Sequence, residues 1–198
     1  MLAVARSVSQ ASAIPIEWYH GSALALPFDE GEFGVVLCQF GLQFFPDPAM
    51  GLREMRRVLA PEGRMGVSVF AEIERNPVAH AFSDTLDRRL GEGASGAKRK
   101  EHAVANQDAL RLLFRKAGFT HIVIETVAKT SRYPSVSDYV RFQLQATPLA
   151  DVLTRYDQSD RDRLTTLLVE ELGGRLAPFA RDGGLAFPQV AHIATTSG

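Results

Sequence analysis

Residues 32–45 read EFGVVLCQFGLQFF, an apolar run that places Cys38, Gln39 and Gln43 just ahead of the turn-former Pro46-Asp47-Pro48. A thiol and two amides among Phe40, Phe44 and Phe45 suit a dry pocket with a few oriented polar contacts. The same residues also read as plain structure, with Cys38 and Phe40 in a core and Gln43 as a solvated loop amide. Proton transfer would fall to histidine, which titrates near neutrality. His20, His80 and His102 are the candidate bases. His121 and His192 fall in predicted strands and read as core or edge residues. Histidine and carboxylate positions show no metal-site spacing, so no metal is expected. Lys98-Arg99-Lys100 reads as a solvated loop, because three charges make a poor anion patch.

The elements that must position these groups belong to a single domain, residues 1–198. A chain of 198 residues, 45% hydrophobic and 23% charged, is long enough for one α/β core and short for two. A formal net charge of -1 supplies no basic face for nucleic acid or an anionic membrane, so the expected partner is a small molecule or another protein. A single cysteine rules out an internal disulfide framework and fits a reducing cytoplasm. No apolar run approaches the ~18 residues of a membrane span. The opening MLAVARSVSQ lacks the pattern of a secretion signal.

Apolar spacing predicts a helix from Met1 to about Ala11, a short strand over Ile14 to Tyr19 and a parallel, doubly covered strand over Phe33 to Phe40. Asp47-Pro48 opens a helix, which Pro61-Glu62-Gly63 ends before a strand over Arg64 to Phe70. A helix follows Asn76-Pro77, Gly91 to Gly96 reads as a flexible break, and Asn106 caps a further helix that Gly118 stops. A strand follows over His121 to Val127. Residues 134–180 read as a helical insertion, and Leu185 to Thr195 as a last strand whose Pro188 demands an edge position or a bulge. Alternating strands and helices imply a mainly parallel sheet.

Residues 21–70 carry a connected set of motifs: Gly21-Ser22-Ala23, Leu26-Pro27-Phe28, Glu32-Phe33-Gly34-Val35-Val36, Glu54 to Leu59, and Pro61-Glu62-Gly63. Together they resemble class I S-adenosylmethionine-dependent methyltransferases of the ubiquinone/menaquinone biosynthesis-like group. Lys116 to Phe119 and the closing LAFPQVAHIAT are also similar to that family. The resemblance implies an α/β, Rossmann-like, mainly parallel sheet with an antiparallel last strand and a helical lid over about 134–180. It implies S-adenosylmethionine as cofactor, held by Ser22, Ala23, Cys38, Gln39 and Gln43. A small-molecule methyl acceptor would be met by Phe44, Tyr139 and Phe142, with Tyr133 and Phe179 as further lid aromatics that read equally as packing.

The sequence departs from the family pattern at Ser22, where an aspartate is usual, at Gly34 and at Glu62. The family's glycine-rich loop and the acidic residue that grips the ribose have no counterpart here. The expectation is therefore an N-terminally truncated fold lacking a unit of about 30 residues, with exposed strand edges covered in a homo-oligomer such as a dimer. The alternative reading is a non-catalytic remnant serving as a structural or regulatory oligomer subunit.

Overall fold

A computed structural model describes residues 2–9, 14–146, 149–154 and 156–197. Helix α1 spans Leu2–Ser9; the ends of the predicted first helix lie outside the described residues. The strand expected over Ile14 to Tyr19 is absent, and residues 14–20 form no regular element. A strand persists only where a neighbour takes its backbone hydrogen bonds, and no strand of the described sheet pairs with this segment.

Strand β1 (Phe33–Gln39) pairs in parallel with β2 (Leu59–Phe70), matching Cys38 to Val67 and Gln39 to Ser68. Helix α2 (Pro48–Val58) makes the crossover. Asp47 caps it by accepting from the Met50 amide, and Pro48 needs no donor in the first turn. Leu52, Met55 and Val58 form its buried stripe, each contributing about 1.5–3 kcal/mol by leaving water. The helix ends at Val58 rather than at Pro61. Residues 59–63 already belong to β2, so the predicted strand over Arg64 to Phe70 starts too late.

After β2 come α3 (Pro77–Leu90), α4 (Gly96–Lys100) and α5 (Gln107–Lys116), the last capped by Asn106. Strand β3 (Ile122–Tyr133) leads to α6 (Val136–Ala146), α7 (Leu149–Leu153) and α8 (Gln158–Leu176), then to β4 (Ala180–Arg181) and β5 (Gly184–Ser197). The sheet order is β1-β2-β5-β3, with β5 antiparallel to both neighbours and β4 paired to its start. Three long strands thus run one way and β5 the other, as expected. Pro188 pairs opposite Thr130 of β3, while β2 reaches only Ala191 to Ser197 of β5. Its missing N–H therefore falls where β5 is locally an edge.

Two hydrophobic cores form. One lies where α2 and α5 pack on the sheet, with Val67, Val69, Leu52, Leu110, Phe114 and Ala194 in it. The other unites α3, helices α6 to α8 and the start of β5 through Phe82, Tyr139, Leu168, Leu172 and Phe187. Asn76 joins them: its amide donates to the carbonyls of Ala71, Glu72 and Val190 and accepts from the Val190 amide at 2.8 Å. No helix among the described residues is long and apolar enough to cross a membrane.

Candidate active site at the strand tips

Parallel strand β1 ends at Gln39, just before Phe40, and β2 ends at Phe70 beside it. The Phe40 amide donates to the Ser68 carbonyl at 3.0 Å and its hydroxyl at 3.2 Å. Phe40 sits at φ 49°, a left-handed conformation that costs a residue with a Cβ about 1–2 kcal/mol. The ring it aims stacks on Phe70, centroids 4.3 Å apart and planes 18° from parallel. Strain held at a strand tip by neighbouring contacts is the pattern of a functional site.

The chain then turns through a short helical stretch, Leu42–Phe44. Gln43 is buried, its amide donating to the Phe40 carbonyl at 2.9 Å, while Oε1 has no hydrogen-bond partner among the described residues. A buried acceptor left open costs roughly 1–3 kcal/mol. Cys38 is buried with its sulfur close to Gly41, and burial raises its thiol pKa. It is a poor nucleophile there. Gln39 is exposed, and Phe44 is about a third exposed. Ser22 forms a tight turn instead, its hydroxyl accepting from Leu24 and its carbonyl from Ala25. The turn reaches the tip through Phe45, whose ring lies on Gly51 beside Leu24 and extends to Gly41. A Cβ at Gly51 would meet that ring at 2.5 Å, so glycine is required there.

The three candidate bases separate. His20 is exposed on the irregular segment, and His80 faces Asp84 across 3.6 Å on α3. His102 alone reaches the tips, with its ring 5.3 Å from that of Phe70. Its Nδ1 lies 2.7 Å from the Ala71 carbonyl. A carbonyl only accepts, so the proton is on Nδ1 and the neutral ring keeps its lone pair on Nε2. Burial lowers the His102 pKa, and the Lys98 charge lowers it further against the raising effect of the Ala71 hydrogen bond. The ring is therefore neutral, and basic, at physiological pH. His192 is a core residue, as read from sequence, with Nδ1 2.9 Å from the Thr126 hydroxyl and Nε2 facing Glu72 at 3.7 Å.

Comparison with known proteins gives these elements their kinship. A family model described as a methyltransferase domain matches residues 1–67. The demethylmenaquinone methyltransferase of Thermus thermophilus is 43% identical over 130 residues, covering 61% of this chain and 59% of that protein. The ubiquinone/menaquinone biosynthesis C-methyltransferase UbiE of Roseobacter denitrificans is 29% identical over 124 residues, covering 58% and 50%. Over these stretches the chain is similar to class I S-adenosylmethionine-dependent methyltransferases. Its kin are of the ubiquinone/menaquinone biosynthesis-like group. The YcgJ protein of Bacillus subtilis shares the fold at a TM-score of 0.59 and 17% identity, covering all of this chain and 77% of that one. The chain spans between about half and three fifths of the length of these two curated relatives.

The methyltransferases this chain resembles use S-adenosylmethionine, and the chemistry of the tip residues is compatible with one end of it. The open, buried Gln43 acceptor suits a donor such as an amino group, and the Phe40–Phe70 stack offers an aromatic face to a cation. The Ser22 hydroxyl accepts from Leu24 and its carbonyl from Ala25, which leaves its O–H and N–H as donors for a ligand. On α6, Tyr139 is buried against Phe82, Tyr133 and Phe187, while Phe142 is half exposed.

Sequence reading missed three participants. Phe70 read only as the end of a strand, although its pairing with the tip of β1 follows from the parallel register. Lys98 is no solvated loop residue: it lies within α4, 4% exposed, with its ammonium 2.6 Å from Glu101. Arg99 likewise is tied to Asp84, Asp87 and Ser95. Gly91 to Gly96 is correspondingly held, the Asp87 carboxylate accepting from both the amide and hydroxyl of Ser95. The one available signal was Glu101, three residues after Lys98 and so on the same face of a helix.

Proposed function

We propose that this chain performs methyl transfer from S-adenosylmethionine to a small, ring-bearing acceptor of the quinone-precursor kind, in the cytoplasm. The observation that carries the reading is His102 at the strand tips, neutral and with Nε2 free to take a proton beside the Phe40–Phe70 stack. Its support in kinship is the two curated relatives, whose names specify demethylmenaquinone and ubiquinone/menaquinone biosynthesis.

When bound, the cofactor supplies an electrophilic methyl group on a cationic sulfur. The chain's own part is positioning and proton removal. Gln43 Oε1 accepts from the cofactor's amino end, and the stacked rings keep water from the tip. His102 Nε2 receives the proton that the acceptor loses, while Nδ1–H remains fixed by Ala71. Holding reacting groups in line contributes up to about 7–11 kcal/mol to such a displacement. Ser22, Ala23, Cys38 and Gln39 line the cofactor end in this reading, with Phe44, Tyr139 and Phe142 towards the acceptor. Calorimetric titration with S-adenosylmethionine tests it: saturable heat and a rise in Tm are expected, and neither at millimolar ligand defeats it for this chain.

One further observation favours a second copy of the chain as partner. Strand β1 is an edge of the described sheet, with Val35 60% and Leu37 76% exposed. Beside it lies a concavity of about 430 Å³ lined by Tyr19, Phe28, Phe33, Val35, Leu37 and Met55. An unpaired apolar edge of this kind invites strand pairing, and we infer a homo-oligomer that buries it.

A further inference from the structure

His192 of β5 is fully buried, and its ring meets groups from three other parts of the chain. Nε2 faces Glu72 Oε2, in the turn after β2, across 3.7 Å, and neither atom has a hydrogen-bond partner among the described residues. Arg75 Nη1 stands 3.9 Å from the same Glu72 oxygen. On the other side, Nδ1 lies 2.9 Å from the Thr126 hydroxyl of β3 and 3.5 Å from the Gln107 amide nitrogen of α5. That amide donates to Thr126 at 2.6 Å.

A carboxylate oxygen only accepts, so the ring proton of His192 sits on Nε2. Nδ1 is then a bare acceptor for the Thr126 hydroxyl, whose oxygen accepts from Gln107. Every donor along Gln107, Thr126, His192 and Glu72 therefore points the same way, towards the turn after β2. His102 is the opposite tautomer, with its proton on Nδ1, 2.7 Å from the Ala71 carbonyl. Ala71 and Glu72 are consecutive, so the position of the Glu72 side chain bears on the carbonyl that fixes the base. The Ala71 peptide is otherwise held by its amide on Val190 at 3.0 Å and by Asn76 at 3.3 Å. A movement of about 0.8 Å would bring Nε2 and Oε2 to hydrogen-bond distance. Both atoms gain by it, because a buried polar atom without a partner is costly.

We propose that His192 is a positioning residue for the candidate base. Its Nε2–H engages Glu72 and so holds the Ala71 carbonyl where it keeps His102 in the Nδ1–H form, with Nε2 bare. This role deepens the methyl-transfer reading and rests on it for the use made of that bare nitrogen. His192 itself touches no reacting atom. Its effect travels through the place of a proton, whereas a packing histidine acts through its volume.

The test reads the imidazole tautomers of the whole, isotopically labelled chain from long-range proton–nitrogen correlation spectra at neutral pH. The His102 signals are assigned by their loss in His102→Gln. The native chain should show His192 as Nε2–H and His102 as Nδ1–H. His192→Leu removes the donor and should lower the His102 preference for Nδ1–H about tenfold, the effect of one hydrogen bond to a charged group. Glu72→Ala removes the acceptor from a side chain that is 37% exposed, so the core is spared, and it should act in the same direction and to a similar extent. His192→Gln can still donate to Glu72 and accept from Thr126, and it should restore most of the preference. Restoration by a smaller, non-aromatic side chain separates positioning from packing. If His192→Leu does not fold, Glu72→Ala and His192→Gln decide. A His102 tautomer unchanged in the folded variants that lack the donor or the acceptor overturns the positioning role, as does His192 found as Nδ1–H in the native chain. His102 found as Nε2–H in the native chain overturns the base itself, and with it the proton step of the methyl-transfer reading. No calorimetric response to S-adenosylmethionine, with the tautomer coupling intact, defeats methyl transfer and leaves the hold of His192 on the turn standing.

Discussion

Phe40, the residue just after β1, and Phe70, the last of β2, stack with ring centroids 4.3 Å apart although Phe40 must adopt φ 49° to do so. The backbone strain is outweighed by the stack and by the Ser68 hydrogen bonds. An aromatic pair of this kind contributes about 1 kcal/mol beyond its burial. Phe70→Leu keeps most of the apolar volume and loses the face. It should weaken S-adenosylmethionine about fivefold, measured by calorimetry, with only a small change in Tm. An unchanged affinity would remove the stack from the cofactor site.

His102 should control a pH profile. Because burial lowers its pKa below the ordinary 6.5, the basic form dominates at neutrality. Methyl transfer should then be flat through neutrality and fall only as pH drops below that ordinary value. His102→Gln should lower kcat by about a hundredfold or more and abolish the acid limb. Stability follows the same sign. The unfolded chain takes up the proton first, so folding free energy is full above pH 6.5 and declines as pH falls towards the lowered folded value. Urea titrations across that range on native and His102→Gln chains would show the slope disappear in the variant. A profile identical in both would remove His102 as the base.

Glu54 and Arg57 hold the Leu26-Pro27-Phe28 loop on α2. The guanidinium grips Glu54 at 2.9 and 3.0 Å and donates to the carbonyls of Phe28 and Leu26, while Glu54 accepts from the Leu26 amide at 2.8 Å. Arg57→Met removes all four of these guanidinium hydrogen bonds. Tm would fall by several degrees. The Arg57 hydrogen bond holds the Glu54 carboxyl below its ordinary 4.5. That stabilisation is present above pH 4.5 and lost as pH falls through the depressed value. The variant should lose this acid sensitivity.

The exposed β1 edge gives a solution test. Sedimentation velocity on the native chain should show concentration-dependent association. Val35→Lys/Leu37→Lys places charges where strands would meet, and it should yield a monomer with the same circular dichroism spectrum. A native chain that sediments as one stable monomer would refute the proposed oligomer.

Periodicity and capping made much of this fold legible from sequence alone. The apolar run of β1, the Asp47-Pro48 and Asn106 helix starts, and the edge demand of Pro188 all depend on interactions within a few residues. The motifs from Gly21 to Gly63 likewise pointed to the family. What distance along the chain concealed was contributed by tertiary contacts. Ile14 to Tyr19 has strand-like residues and no strand, because a strand requires a partner as well as a propensity. The three histidines looked equivalent until the turn after β2 brought the Ala71 carbonyl to His102. Lys98 looked solvated until folding enclosed its charge with that of Glu101. A charge's burial and a base's tautomer are set by groups that meet only when the sheet and lid close, so neither is written in local spacing.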